Sequence, residues 1–509
     1  MLYFTVLLLA LPWLNPFAPG PSPAVVPWLV SLAASTGLFL LPSARLHDVV
    51  GPASFADRWT RPMAQAWLLA GLISSVIGLL QYFGLTAAIE PWVNRTIWPG
   101  EAFANLRQRN QFASLTNIAL AALVWWVAKR SEGAVAVGQL ALRSRWWVTF
   151  AAALLAVGNA ASASRTGALQ LALVCALCVA WGLWRQPLVR RVLLVALLAY
   201  GLAALALPWV AGLDLWQHGM AARLRIGEEA CASRLVLWSN VLHLIAQKPW
   251  GGWGWGELDY AHYTTLYDGL RFCDILDNAH NLPLQLAVEL GVPFALFVCG
   301  GFMWWALRQK PSRECDTTRQ LAWSVMAVIL LHSMLEYPLW YGPFQMAVCL
   351  SVWLLWPWQA HCTSGSAIFR AVALVNIRYV AISLVALLTF VAWDYWRVSQ
   401  LYLPQADRAT AYRDGTLDKV RNSWLFQNQV QFAELTTTPL TAENAALLNA
   451  MAKQLLHFSP EPRVVEKIIE SAVMLGRNDE AYFYLQRFQA AFPQAHESWA
   501  KESARHETP

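Results

Sequence analysis

Residues 192–212 read VLLVALLAYGLAALALPWVAG, an apolar run from Val192 to Gly212 without one charged side chain. About 20 such residues in a helix cross the roughly 30 Å of a bilayer's hydrocarbon. The run decides the fold, because backbone in lipid must satisfy its own hydrogen bonds, which a helix does and an open strand does not. Working outward, comparable runs lie near 1–14, 27–43, 65–83, 111–128, 146–163, 168–185, 282–307, 320–335, 343–358 and 379–395. That makes about eleven spans. The first is read as a span, since it lacks the charged start and small-residue cleavage site of a signal peptide. Composition agrees: 57% of the 509 residues are hydrophobic and 13% charged, against roughly 25% charged in soluble domains. The predicted fold is all-α, a polytopic inner-membrane helix bundle.

Orientation follows from Lys and Arg in short loops. One set of loops holds Arg45, Arg58, Arg61, Lys129, Arg130, Arg143, Arg145, Arg185, Arg190, Arg191, Arg308, Lys310, Arg313, Arg319, Arg370 and Arg378; the other holds only Arg95, Arg107, Arg109 and Arg165. The first set is placed in the cytoplasm with the N-terminus, so the long loop 213–280 and the tail 396–509 face the periplasm. The net charge of +6 reflects this asymmetry and is no nucleic-acid signature. Most of the 29 Trp, such as Trp146, Trp147, Trp304 and Trp305, read as interfacial anchors.

Two domains are predicted: a membrane domain over 1–395, including the loop, and a small helical periplasmic domain over 396–509. In the tail, 441–458, 462–476 and 478–492 carry apolar residues at helical spacing, punctuated by Pro460, Pro462 and Pro493, in the manner of tetratricopeptide hairpins. Among the cysteines, Cys175, Cys178, Cys299 and Cys349 fall in spans and Cys315 and Cys362 in cytoplasmic loops. Only Cys231 and Cys273 lie in the long outer loop, an oxidising space, and are expected to pair.

Polar chemistry gathers on the outer face. Asp277-Asn278-Ala279-His280-Asn281 ends the long loop and opens into an apolar helix carrying Glu289 and then Gly291. So polar a cluster beside hydrocarbon is a functional candidate. Ser162-Ala163-Ser164-Arg165-Thr166-Gly167 joins two spans; Arg165 either anchors to headgroups or grips phosphate with its planar fork. Arg234 opens a short amphipathic helix, followed by Pro249-Trp250-Gly251-Gly252-Trp253-Gly254-Trp255-Gly256, which reads as a close-packed turn rather than a nucleotide cradle, since no Gly-Lys-Ser/Thr follows. His332 and Glu336 lie four apart at another span's outer end, and so on one helix face. Two arginines with a histidine and a carboxylate suit neutralisation of a diphosphate leaving group, with His280 or Glu336 taking a hydroxyl proton. No residue cluster has metal-ligand spacing, and no metal or cofactor is expected.

Taken together, Ser164-Arg165-Thr166-Gly167, Arg234 through Trp238 to the Gly-rich segment, and His280-Asn281 with Glu289 and Gly291 resemble the O-antigen ligase/polymerase superfamily of the Wzy_C type. His332 to Tyr341, with Glu336-Tyr337-Pro338, and Asn105-Leu106-Arg107-Gln108-Arg109-Asn110-Gln111 resemble its PglL-type protein O-oligosaccharyltransferase branch, although Arg107 and Arg109 stand where smaller residues or Pro are expected. The resemblance implies a glycosyltransferase that moves an oligosaccharide en bloc from undecaprenyl diphosphate to Ser or Thr of an exported protein such as pilin. It implies catalytic roles for Arg165, Arg234 and His280, and substrate contacts from Asn281, Glu289, His332, Glu336, Tyr337, Asn105, Gln108 and Asn110. The partners implied are the lipid-linked donor, the acceptor protein and membrane lipids. Lipid A-core O-antigen ligation or O-antigen polymerisation is the alternative within the class. A polysaccharide transporter or flippase is the alternative outside it; that reading expects polar residues spread through the membrane midplane.

The charge asymmetry generates a topology test. Cysteine reporters at Ser131 and Ser312 are expected to resist a membrane-impermeant thiol reagent in whole cells, and reporters at Gln217 and Ser498 to react with it. The opposite labelling pattern would put His280 in the cytoplasm and end the periplasmic reading.

Overall fold

The computed structural model describes residues 2–40, 55–96, 99–134, 142–225, 230–356 and 367–507. Arg45 and Cys362, both assigned to inside loops from sequence, lie outside the described residues, as do the side chains of Arg58, Ser131, Arg143, Arg370 and Arg378. Every regular element among the described residues is helical: α1 (Leu2–Leu14), α2 (Val25–Leu40), α3 (Phe55–Tyr82), α4 (Arg109–Ala134), α5 (Leu142–Ala161), α6 (Arg165–Ala180), α7 (Pro187–Val210), α8 (Gly219–Arg225), α9 (Arg234–Gln247), α10 (Leu258–Thr264), α11 (Leu282–Leu290), α12 (Val292–Arg308), α13 (Thr317–Ser333), α14 (Gly342–Leu355), α15 (Ala367–Ser399), α16 (Thr416–Val420), α17 (Gln427–Thr437), α18 (Ala445–Leu455), α19 (Pro462–Met474), α20 (Asn478–Ala491) and α21 (Pro493–Glu507). The chain divides into two compact units, one of residues 1–227 and 306–390, the other of 228–305 and 391–509.

The first unit is a membrane bundle around α4. That helix packs against α3, α5, α6, α7 and α13 and buries almost its whole circumference, including Leu115, Ile118, Ala119 and Leu123. Its alternation of small and branched apolar residues lets neighbours approach closely, the packing that holds helices together where lipid removes the hydrophobic drive. The outer helix α7 does the reverse and turns Leu198, Leu202, Leu205 and Trp209 outward. By length and composition, Trp59–Tyr82, Arg109–Arg130, Pro187–Val210 and Tyr379–Tyr402 can each cross a membrane; Leu2–Leu14, Val25–Leu38, Arg165–Ala180 and Gly342–Leu355 are apolar but shorter. The chain is a helical membrane protein.

The second unit has two cores. Leu237, Val241 and Leu244 of α9 meet Leu258 of α10, Leu276 and Ala279 of the following loop, and Leu286 and Val288 of α11. The three tail segments read from sequence appear as α18, α19 and α20. Their apolar faces, with Val464, Val465 and Ile468 on α19 and Phe488 on α20, enclose Tyr263 of α10. Asp394, near the end of α15, is fully buried and is held by Arg397 at 2.8 Å, the Ser423 hydroxyl at 2.9 Å and the Leu425 amide at 3.2 Å. Cys231 and Cys273 form a disulfide with Cα atoms 5.4 Å apart, fastening the turn before α9 to the loop that leads to His280.

One predicted element is corrected. The run 282–307, expected as a single span, is two helices broken at Gly291. The break has a backbone cause: Gly291 sits at φ +89°, where a Cβ would collide with the Trp250 carbonyl, and Gly252, at φ +69°, lies against the Glu289 carbonyl. The Trp253 amide donates to the Val288 carbonyl at 2.8 Å, the Gly254 amide to the Glu289 carbonyl at 2.9 Å, and the Val292 amide to the Pro249 carbonyl at 2.8 Å. The Gly-rich segment is the close-packed turn expected, and it caps α11 through its amides.

Two stability predictions follow from these contacts. Gly252→Ala and Gly291→Ala are each expected to lower the unfolding midpoint in detergent, because the left-handed backbone alone costs about 1–2 kcal/mol with a Cβ and the collision adds to it. Gly251→Ala, with open space around it, is expected to match the parent; equal behaviour of all three variants would refute the close-contact account. For the disulfide, closing a loop with a sequence separation of 42 residues restrains the unfolded chain by about 4 kcal/mol in the entropy model. Cys231→Ser and Cys273→Ser are therefore expected to lower the midpoint equally, and the double variant no further; additive losses, or alkylation of both thiols without reductant, would refute the bridge.

Candidate active site

The candidate residues fall into two sets, one in each unit. In the membrane bundle, Ser164 is the N-cap of α6 and accepts from the Gly167 amide at 2.9 Å. This is the capping that a serine at a helix start supplies. The same hydroxyl donates to Asn110 Oδ1 at 2.5 Å, and Asn110 Nδ2 donates to Glu336 Oε1 at 3.1 Å. Below them, Ser114 Oγ accepts from Gln170 Nε2 at 2.7 Å and lies 2.9 Å from His332 Nδ1 and 2.9 Å from the Asn110 carbonyl. A hydroxyl has one proton. When Ser114 donates it to Asn110, His332 presents an Nδ1–H to Ser114. Gln170 Nε2 also donates to the Val328 carbonyl at 3.0 Å, stitching α4, α6 and α13 together.

Arg165 is the first residue of α6 and is exposed. Its guanidinium stands at a helix start, where backbone N–H groups and the helix dipole favour an anion. The connection before it is strained: Ala163 has φ +49°, a left-handed conformation that costs a residue with a Cβ about 1–2 kcal/mol. His332 and Glu336, expected on one helix face, do not share a helix, since α13 ends at Ser333. Glu336 nonetheless stays one turn beyond His332, because its amide donates to the His332 carbonyl at 2.8 Å. Tyr337 stacks on Tyr341 with centroids 6.1 Å apart.

Asn105 and Gln108 brace the fold. Asn105 is buried and donates to the carbonyls of Leu14 at 2.8 Å and Trp92 at 3.1 Å, while its Oδ1 accepts from the Asn94 amide at 3.2 Å. Gln108 Oε1 accepts from the Gln111 amide at 2.6 Å, capping α4. Arg107, unexpected in its motif, ties its guanidinium to the Pro16 carbonyl at 2.5 Å. Arg109 pairs with Glu101 at 3.3 Å.

The second set repeats the first set's opening. Ser233 is the N-cap of α9, accepting from the Val236 amide, and Arg234 is the first helical residue. One turn along the same face, Trp238 Nε1 donates to the Ala279 carbonyl at 3.1 Å, which brings the residue before His280 against α9. Gln285 Oε1 accepts from the Ala279 amide at 2.6 Å, and Asn278 Oδ1 from the His280 amide at 2.8 Å. Asn281 caps α11, accepting from the Leu284 amide. Held this way, His280 adopts φ +51°. Such a conformation persists in a bulky residue only where its surroundings impose it, and functional sites are where such strain concentrates. Glu289 is buried and its Oε1 accepts from the Gly256 amide at 2.9 Å.

The second unit also holds a fully buried histidine, His262. Burial, aided by the Arg271 charge, pushes His262 down to about 3, so its ring is neutral. Its Nε2 donates to the Phe272 carbonyl at 3.2 Å and its Nδ1 accepts from the Tyr267 hydroxyl at 2.8 Å. Both nitrogens serve the fold. Burial also raises Asp259 to about 7.

Sequence reasoning missed Ser114, Asn117 and Gln170. Asn110, Ser114 and Asn117 recur at helical spacing inside an otherwise apolar span, and that stripe was the available signal. Asn117 Nδ2 donates to the Ala113 carbonyl at 2.9 Å and the Gly167 carbonyl at 3.1 Å.

Comparison with known proteins meets these elements in chain order. Residues 102–127 match a family model described as "Protein glycosylation ligase", residues 150–299 one described as "O-Antigen ligase", and residues 320–506 one described as "Virulence factor membrane-bound polymerase, C-terminal". A general O-oligosaccharyltransferase from Acinetobacter baylyi is 25% identical over 354 residues, 67% of this chain and 58% of the relative. A ComP-specific O-oligosaccharyltransferase from the same organism is 25% identical over 252 residues, 49% of this chain and 43% of the relative. Arg165, Arg234 and His280 lie inside the O-antigen ligase match and Asn110 inside the glycosylation ligase match, and together the matches support the superfamily of O-antigen ligases and PglL-type protein glycosylation ligases.

Proposed function

We propose that the protein is an inner-membrane glycosyltransferase. It moves an oligosaccharide en bloc from undecaprenyl diphosphate to a Ser or Thr hydroxyl of an exported protein, such as pilin, on the periplasmic face. The observation that carries the reading is the repeated Ser-Arg helix start, at α6 and α9, together with the imposed backbone of His280. The relatives that bear the name O-oligosaccharyltransferase support the same class.

In this reaction the acceptor oxygen bonds to the anomeric carbon of the glycan's first sugar as the bond from that carbon to the diphosphate oxygen breaks. The electron pair leaves with the diphosphate. Arg165 and Arg234 stabilise that growing charge as bidentate donors, a role a planar guanidinium fills and an ammonium fills less well. His280 takes the acceptor proton, with Glu336 as the alternative base. His332, Glu336, Tyr337, Asn105, Gln108, Asn110, Asn281 and Glu289 are the proposed substrate contacts.

A second reading, glycan polymerisation, has one observation in its favour: the match of 320–506 is to a polymerase C-terminal region. Co-expression with a glycan pathway and a candidate pilin separates the two. Protein O-transfer adds the glycan mass to the acceptor; polymerisation lengthens the lipid-linked glycan and leaves the acceptor mass unchanged.

In that assay Arg165→Ala and Arg234→Ala are each expected to slow transfer by about 10²–10³-fold, as removal of one preorganised transition-state donor does, while membrane accumulation stays at the parent level. Arg→Lys at either position is expected to restore little, and His280→Ala to abolish acceptor modification. Parental turnover by either arginine-to-alanine variant would remove that residue from the mechanism.

A further inference from the structure

Helix α9 buries one face and on the other exposes two large leucines. Leu237, Val241, Leu244 and Ile245 are buried with Asn240 on the inner side. The outer side carries Leu235, 78% exposed, and Leu242, 55% exposed, with exposed Ser239 and Ala246 completing the row. The helix contains no acidic residue, and Lys248 closes it, its ammonium 3.9 Å from the Trp253 ring centre. Directly after it stand Trp250, 82% exposed, and Trp255, 63% exposed.

We propose that α9 lies in the plane of the membrane surface, its outer face and the two tryptophans embedded at the headgroup–acyl boundary of the leaflet on the His280 side. The Pro249 carbonyl accepts from the Val292 amide at 2.8 Å, and Val292 is the first residue of α12. The exposed tryptophan Trp250 is thus fixed within one residue of the start of a helix whose own exterior is Phe294, Leu296, Phe297, Met303 and Trp304. That exterior is lipid-facing by composition, and tryptophan at the end of such a helix sits at the interface. Two exposed leucines with small residues between them, opposite a buried face, free of acids and closed by a lysine, suit a helix that rests in this layer. A protein partner docked on the same row would leave Trp250 and the first turn of α12 to be covered separately; one leaflet covers both. The inference is independent of the catalytic assignment.

Site-directed spin labelling tests it in phospholipid nanodiscs without acceptor. Single cysteines replace Leu235, Leu242 or Trp250 in protein that keeps the Cys231–Cys273 bridge and has serine at its other cysteines. Labels at these positions are expected to collide readily with oxygen and to lose contact with an aqueous nickel chelate. Reference labels at exposed Asp268 and Glu497 are expected to behave oppositely. Small exposed Ser239 and Ala246 serve as label sites where a bulkier replacement fails to accumulate. Nickel contact equal to that of the references would overturn the proposal and leave the row as a water-facing docking surface. Protection from both reagents would overturn it in favour of a protein cover.

Discussion

A polar group placed in hydrocarbon has to bring its partner with it, and the membrane bundle is arranged around that constraint. Asn110, Ser114, Gln170, His332 and Glu336 stand among apolar helices, and each is joined to another of the set or to a carbonyl. Leaving one such group unpaired costs about 1–3 kcal/mol or more. The network therefore sets which helices can neighbour α4 and in what rotation, and the start of α6 is fixed as a by-product. Arg165 follows a serine cap that is itself held by Asn110, so the backbone position from which the arginine springs derives from a residue on another helix.

The second unit reaches a comparable end without a membrane-buried network. Its rigidity comes from backbone meeting backbone where two glycines remove the side chains between them. The turn 249–256 closes over the end of α11 and fixes where α12 begins. The His280 loop is then held from three directions, by Trp238, Gln285 and Asn278. Strain at one residue is tolerated because each of these contacts is local and directional.

Much of this was legible in the chain. Apolar runs announced a helical membrane protein, since the length needed to cross lipid is a physical constant of the bilayer; of the runs read, four appear among the described residues as helices long and apolar enough to cross. Arg234 was read as the opening of a short helix, as it is, and the Gly-rich segment as a tight turn. The break at Gly291 was hidden because its cause is Trp250, which lies 41 residues earlier and approaches only after folding. That Asn105 and Gln108 also hold backbone groups of the fold was not legible, because a motif records which residues stand together and is silent on which way each amide points. His262 drew no notice, and its burial with two satisfied nitrogens explains why a histidine can stand beside a site without acting in it.

Tyr263 has a consequence for how such proteins can diverge. It belongs to the loop between membrane helices, yet its ring fills the core of the tail. The Thr264 carbonyl accepts from Arg487 at 2.7 Å, and Glu257 pairs with His457 at 2.6 Å. The tail's core is therefore completed by a loop residue, although more than a hundred residues separate the two in the chain. A tail grafted from a relative would arrive with a hole shaped for that relative's α10. The soluble end of this protein is not an interchangeable cassette, and any lineage that acquires a new tail has to rewrite the short helix beneath it at the same time.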